Sequence, residues 1–294
     1  MTPQYTFPLI HSLQSLNIFF ITNTKSNDDI INTNYNVNII DIFLQFSSSF
    51  KTINKISKPF ILCYNYLLLL YQIKKIKPEI VHYNWISIPL IDLMFIKILK
   101  FLKLKILLTQ HNYYQHSKKQ LRFGENSIFN AVDKIFCLSN YVKNQFNDKY
   151  KNKISIIPHR NCYEHLLKKK HNKKTTTIIN LLLIGNIKNY KGIELMIDVF
   201  KYFKRNKTKI HLKICGPGNA SYIKIINNEI IRHNLKDMIT LKNKFLSFDN
   251  LCDYINNCDI GLLPYKRASQ SGIPYLFYFY NKPLVVTNVG GLVE

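Results

Sequence analysis

From Ile179 onward, short apolar runs of β type alternate with stretches of helical period, and glycines stand where several of the runs end. Ile179–Ile184 meets Gly185, and Ile210–Cys215 meets Gly216-Pro217-Gly218, with a helical stretch after each. In the first of these helices Ile193, Met196, Ile197, Val199, Phe200 and Phe203 turn mainly inward. Residues 239–241 form a third run before a helix whose N-cap candidate is Ser247, and residues 259–263 form a fourth. Residues 275–280 and 284–287 close the series as a helix and a strand. Consecutive strands separated by helices run parallel, so this order dictates an α/β unit with a parallel sheet covered on both faces. Such sheets bind ligands in the loops beyond the carboxyl ends of their strands.

The first half repeats the pattern more loosely. Residues 18–22, 80–83 and 106–109 are predicted strands, followed by 135–138, a Ser139-capped helix, and 154–157. Between residues 83 and 106 the period predicts a helix with Ile91, Met94, Phe95, Ile98, Leu99 and Leu102 on its inward face. Lys97, Lys100 and Lys103 fall opposite. The basic run at 166–174, closed by three threonines, reads as a solvated interdomain linker rather than a nuclear address. The chain therefore divides into an N-terminal domain over 1–165, a linker over 166–177 and a C-terminal domain over 178–294.

Length and composition allow this: 294 residues at 47% hydrophobic and 20% charged suffice for two cores and exclude a disordered chain. The net charge of +24 calls for an anionic partner or a bland cause. Arginine, the better reader of phosphates and bases, occurs only at 122, 160, 205, 232 and 267; the remaining cations are lysines. Lysine rises here together with asparagine, isoleucine, tyrosine and phenylalanine, while alanine stands only at 131, 220 and 268. Compositional drift explains this better than nucleic-acid binding, for which no reader motif is present. An anionic membrane surface is the second explanation.

The cysteines at 63, 137, 162, 215, 252 and 258 show no metal-binding or paired spacing and fit a reducing cytoplasm. Residues 1–11 have neither the charged region nor the cleavage site of a signal peptide, and the most apolar stretch, 59–73, is short of a span. The expected location is cytoplasmic, with a peripheral place at the inner membrane face as the alternative.

Chemistry concentrates in the loops after the strands of the second half. Lys188 and Lys191 stand at the entrance of a helix, where backbone N–H groups and cations together suit a diphosphate. Gly216-Pro217-Gly218 lets a ligand approach the backbone closely. Gln270-Ser271-Gly272 and Val289-Gly290-Gly291 offer further N–H donors. No Asp-x-Asp occurs, so no metal is expected to bridge the diphosphate, and cationic side chains take that task.

In order, Gly185…Lys188…Tyr190-Lys191-Gly192, Cys215-Gly216-Pro217-Gly218, Cys258-Asp259-Ile260-Gly261-Leu262-Leu263-Pro264-Tyr265, Gln270-Ser271-Gly272 and Lys282-Pro283…Val289-Gly290-Gly291-Leu292…Glu294 resemble the donor half of family 4 (group 1) glycosyltransferases. The first half is similar through His82-Tyr83-Asn84-Trp85, Thr109-Gln110-His111-Asn112, Asp133…Cys137-Leu138-Ser139 and Ile157-Pro158-His159. The resemblance implies a GT-B fold, two Rossmann-like domains with parallel sheets facing a cleft. It implies a retaining hexosyl transfer from a nucleoside-diphosphate sugar to a glycan or lipid-linked acceptor in surface polysaccharide synthesis. The donor is a substrate, and no cofactor is implied.

By the same resemblance, Lys188 and Lys191 neutralise the leaving diphosphate and His111 faces the donor sugar across the cleft. Gly185, Gly192, Gly216, Gly218, Phe245, Pro264, Ser271, Gly272, Gly290, Gly291 and Glu294 hold the donor. Asn84, Trp85, Asn112, His116 and His159 lie on the acceptor side.

Three departures accompany it. Ala268 and Leu276 stand where many members carry paired glutamates, as in a Gln-Ser-Gly subgroup that lacks both. Asn186 replaces a common arginine, leaving the charge to Lys188. The chain opens on a helix-like segment over 3–16 and stops at Glu294 inside the last motif, so it is expected to lack the first strand and the terminal helices. A non-catalytic remnant that binds a sugar nucleotide or anionic lipid is therefore the alternative.

Overall fold

The computed structural model describes residues 15–22, 38–41, 51–114, 120–157 and 177–294. The chain divides into two compact units, Met1–Pro158 and His159–Glu294. The basic run at 166–174 and all but the end of the segment over 3–16 lie outside the described residues.

In the first unit β1 (Phe19–Thr22) pairs parallel with β2 (Asn38–Asp41). A separate four-stranded parallel sheet has the order β3 (Ile80–Tyr83), β4 (Lys105–Gln110), β5 (Lys134–Cys137), β6 (Ile154–Ile156). Helix α1 (Lys51–Ile76) precedes β3, α2 (Pro89–Phe101) joins β3 to β4, and α3 (Glu125–Ala131) joins β4 to β5. A short helix, α4 (Asn140–Lys143), follows β5, and Ser139 caps it by accepting from the Val142 N–H at 3.2 Å, as its sequence predicts.

Helix α2 is rotated from the orientation its apolar period predicts. Asp92, Phe95, Ile96 and Leu99 face the core, whereas Met94, Ile98 and Leu102 are exposed. The cause is a polar anchor that a hydrophobic count does not register. The Asp92 carboxylate accepts from the Ser87 N–H at 2.7 Å and from the Tyr66 hydroxyl of α1. Tyr66 also stacks on Phe95 at 4.0 Å, and these two contacts fix the rotation. Burial pushes the Asp92 carboxyl upward, against the pull of those hydrogen bonds. Lys100 is tied to Asp133 at 2.6 Å, and Lys97 stands among exposed apolar neighbours.

The second unit holds β7 (Ile179–Ile184), α5 (Ile193–Arg205), β8 (Ile210–Cys215), α6 (Ala220–Arg232) and β9 (Ile239–Lys242). Then come α7 (Phe248–Asn257), β10 (Ile260–Leu263), α8 (Ile273–Phe279) and β11 (Leu284–Val286). Its sheet is wholly parallel in the order β11-β10-β7-β8-β9. Alternate residues of β7 enter opposite cores, as a central strand requires. Leu181 and Leu183 pack with Ile197 and Phe200 of α5 and Ile226 of α6. Leu182 and Ile184 pack with Ile255 of α7 and Phe277 of α8. Truncating Phe200, which is fully buried, to alanine would cost about 3–5 kcal/mol. Ser247 caps α7 by accepting from the Asn250 N–H at 3.3 Å, also as predicted.

Among the described residues no helix is long and apolar enough to cross a membrane. Nor do three or more His, Cys, Asp or Glu side chains gather there as a metal site would need.

Candidate functional site

The strand order of the second unit fixes where a ligand can enter. From β7 the chain winds outward through β8 and β9, then returns to the other side of β7 as β10 and β11. The crevice of a doubly wound sheet opens where these directions diverge, at the carboxyl ends of β7 and β10. Gly185 follows β7 there, and the buried Pro264 and Tyr265 follow β10.

Lys191 is placed in this crevice by a short helical turn, Asn189–Lys191, that ends on Gly192 in a left-handed conformation (φ 70°). A Cβ on Gly192 would lie 1.8 Å from the Pro264 carbonyl oxygen, so only glycine lets the two loops close. The Lys191 Nζ bonds the Tyr265 hydroxyl at 2.5 Å and sits 3.7 Å from the centre of that ring. It is also 3.9 Å from the point where a Cβ on Gly185 would be, at the mouth of β7. Among the described residues no carboxylate pairs with it. Burial, with the Lys188 charge second, pulls its ammonium down to about 7.

The nearest acid on the chain, Glu194, is engaged elsewhere. It accepts from the Tyr222 hydroxyl at 2.7 Å and pairs with Lys266 at 3.2 Å. Burial would raise its carboxyl, but these bonds hold it below the usual range. Lys191 is thus a nearly buried amine with no counter-ion among the described residues, a group that an incoming anion would satisfy.

Around it the other predicted donor residues fall into place unevenly. Gly216 brings β8 against the end of β7, since a Cβ there would lie 2.1 Å from the Gly185 carbonyl oxygen. Gly218 donates to Asn243 Oδ1 at 2.8 Å, and Ile187 bridges to it in parallel. Asn186, Lys188, Asn189, Pro217, Gly218 and Tyr222 line an open depression of about 470 Å³. Ser271 accepts from the Ile273 N–H at 3.3 Å and bonds Tyr265, which ties the Gln-Ser-Gly loop to Lys191 through one tyrosine. Gly272 caps α8. Gly290 and Gly291 lie in a turn after β11, where the Gly291 N–H donates to the Ala268 carbonyl at 3.2 Å. Phe245 and Glu294 are exposed.

In the first unit Asn84, Trp85 and His111 come together at the ends of β3 and β4. His111 Nε2 is 3.1 Å from the Asn84 carbonyl oxygen, and the Trp85 and His111 rings are 5.2 Å apart. A carbonyl only accepts, so Nε2 carries the hydrogen of this bond. Arg122 steadies the loop by donating to the carbonyls of Ile86 and Ser87 at 3.0 and 2.9 Å while pairing with the buried Glu125. The Asn112 carbonyl accepts from Gln110 at 2.7 Å. His82 bonds Thr109 at 2.8 Å, and burial pulls it down to about 4, so it stays neutral. His116 and His159 lie outside the described residues.

Comparison with known proteins decides the family. Residues 179–294 match the family described as glycosyl transferases group 1, and residues 48–159 match glycosyltransferase family 4. The chain belongs to the family 4/group 1 glycosyltransferases. An uncharacterized glycosyltransferase of Methanocaldococcus jannaschii, MJ1178, is 28% identical over 162 residues, which are 55% of this chain and 42% of that protein. The match thus spans under half of the relative's length.

Solved structures show the GT-B fold. A glycosyltransferase from Rickettsia africae superposes with a TM-score of 0.66 at 16% identity, over 99% of this chain and 76% of its own. HepE of Anabaena, solved with UDP and glucose, superposes with a TM-score of 0.66 at 10% identity, over 99% and 77%.

Within this family member the sequence reading of the site missed Tyr265, which holds Lys191 from below, and Glu194, which gathers the surrounding donors. Tyr265 was legible as part of the Pro264-Tyr265 pair ending β10, although its role depends on β10 lying beside β7. Glu194 carried no comparable signal.

Proposed function

We propose that this chain is a retaining, metal-independent glycosyltransferase that moves a hexosyl group from a nucleoside-diphosphate sugar to a glycan or lipid-linked acceptor in surface polysaccharide synthesis. The observation that carries the donor half is Lys191, a cation in the switch-point crevice with no carboxylate partner among the described residues. In the transfer the bond from the anomeric carbon to the diphosphate breaks with its electron pair on the diphosphate oxygen. The oxygen of the acceptor hydroxyl then bonds to that carbon on the same face, and its proton passes to the departing diphosphate oxygen. Negative charge grows on the diphosphate as the bond breaks, and Lys191, with Lys188 beside it, stabilises that charge.

The depression beside Lys188 and Gly218 gives the nucleotide its place, and HepE, bound to UDP, supports uridine as the base. His111 serves the donor sugar, and Asn84 and Trp85 beside it serve the acceptor. The location is cytoplasmic, peripheral at the inner membrane face.

A second reading, a sugar-nucleotide-binding protein without turnover, is favoured by one observation. Ala268 and Leu276, at the positions of the absent glutamates, are both buried in apolar clusters.

A thermal-shift screen against UDP, GDP, ADP and their sugars, without metal, tests both. UDP at about a hundred times its dissociation constant should stabilise the fold by about 2.7 kcal/mol, and Lys191→Ala should abolish the shift. No shift from any nucleotide would sink the donor site. A UDP shift without sugar transfer or donor hydrolysis would select the second reading.

A further inference from the structure

The loop after β3, residues 84–88, is held by charged side chains from distant parts of the first unit. Arg122 donates through its two terminal nitrogens to the carbonyls of Ser87 and Ile86, at 2.9 and 3.0 Å. Its Nε donates to Glu125 Oε1 at 2.7 Å, and its backbone N–H donates to Glu125 Oε2 at 2.7 Å. From the other side Asp92 of α2 accepts from the Ser87 N–H at 2.7 Å and from the Tyr66 hydroxyl of α1. Asp92 and Glu125 are buried, and the Arg122 side chain is mostly so.

Packing alone does not call for this set. Taking ionic groups out of water carries a desolvation cost, and apolar side chains of similar volume often stabilise a fold as well or better. What a guanidinium fork adds is direction, because its N–H groups fix both the position and the tilt of the peptide groups they meet. Lysine, a point charge on a flexible stem, does not supply that.

Trp85 stands between the fixed points. On one flank the Asn84 carbonyl oxygen is 3.1 Å from His111 Nε2, and on the other the Ile86 carbonyl meets Arg122. The main chain of Trp85 is thus anchored on both sides, yet the residue is 55% exposed. Its ring lies 5.2 Å from that of the buried His111. An exposed indole on a rigid mount is organised before its ligand arrives, which lowers the ordering cost of binding. The same loop sets His111, since the carbonyl that holds the imidazole moves with it.

We propose that Arg122, braced by Glu125, is a positioning residue that fixes the loop after β3, so that Trp85 meets the acceptor and His111 the donor sugar in one geometry. It acts through the loop. Its consequence for turnover rests on the transferase reading, whereas its hold on the loop does not.

Trp85 is the one tryptophan of the chain, so its fluorescence reports this loop alone. In Arg122→Lys, which keeps the charge and loses the fork, Trp85 anisotropy should fall and quenching by acrylamide should rise, with circular dichroism as in the parent. In Arg122→Ala both shifts should be larger. Guanidinium chloride added well below denaturing concentration should reverse them by refilling the space beside Ile86, Ser87 and Glu125. UDP affinity, a property of the second unit, should be the same in parent and variants. UDP-glucose hydrolysis, in which water takes the place of the acceptor, should slow about tenfold or more in Arg122→Lys at an unchanged KM.

A Trp85 signal identical in parent and variants overturns the proposal, and so does a loosened Trp85 with an undiminished hydrolysis rate. Global unfolding of both variants overturns it too, because Arg122 would then serve the fold as a whole. A parent chain that binds no UDP, or hydrolyses no donor, fails the transferase reading instead, while the Trp85 signal still decides for or against Arg122.

Discussion

The Lys191 ammonium lies 3.7 Å from the centre of the Tyr265 ring and 2.5 Å from its hydroxyl, although 74 residues separate the two. They meet because β7 and β10 are neighbours, so the loops that leave these strands begin side by side. The ring supports the cation electrostatically, and the hydroxyl aims it. Ser271 bonds the same tyrosine, and Thr287 donates to its carbonyl at 2.6 Å, which leaves the ring little freedom.

Tyr265→Phe keeps the ring and removes the hydroxyl with its bonds to Lys191 and Ser271. UDP affinity should fall by about tenfold, the effect of losing one hydrogen bond to a charged group, while the urea midpoint changes little. Titration calorimetry checks the first outcome and a urea melt the second. Undiminished affinity would mean that Tyr265 is packing alone.

How much of this was readable beforehand differs between the two units. In the second, the central strands β7 and β10 follow from runs such as Ile179–Ile184, because a strand buried on both faces must be apolar throughout. The crevice residues Lys188, Lys191 and Gly192 were also legible, as glycines and cations at strand ends. In the first unit the period of α2 pointed to Met94 and Ile98 as core, and the buried Asp92 reversed this. A polar residue at the centre of an inward face scores against that face, and its side-chain partner, Tyr66, lies 26 residues away, too far to be paired by spacing. Tyr265 escaped for the same reason: its meaning lies in a strand neighbour.

Gly192→Ala tests the closure of the two loops. The substitution sets a Cβ 1.8 Å from the Pro264 carbonyl oxygen and forces a side chain into a left-handed backbone at φ 70°. Both effects oppose the native loop, and the destabilisation should exceed about 2 kcal/mol. Chemical denaturation should show it as a lower midpoint with an unchanged slope, and UDP binding should fall with it. A variant as stable as the parent would show that the loops have room to separate.

The buried ammonium of Lys191 makes both stability and binding depend on pH. Its folded value is about 7 against an ordinary 10.5, lowered by burial first and by Lys188 second. Between these values the unfolded chain holds a proton that the folded chain has released, so this group's contribution to stability rises with pH across that window. Below about pH 7 both states are protonated and the cost of burying the charge is fully present. Lys191→Met, similar in volume and uncharged, should therefore be more stable than the parent at acid pH. The advantage should shrink as the pH approaches 10.5, which paired urea melts would show. Binding runs the other way. A diphosphate beside Lys191 favours the charged form, so at alkaline pH the complex must take up a proton, and affinity should fall by up to about tenfold per pH unit above 7. Calorimetric titration of UDP in two buffers of different ionisation enthalpy would report that uptake directly. A binding enthalpy independent of the buffer would mean that Lys191 is already charged before the ligand arrives.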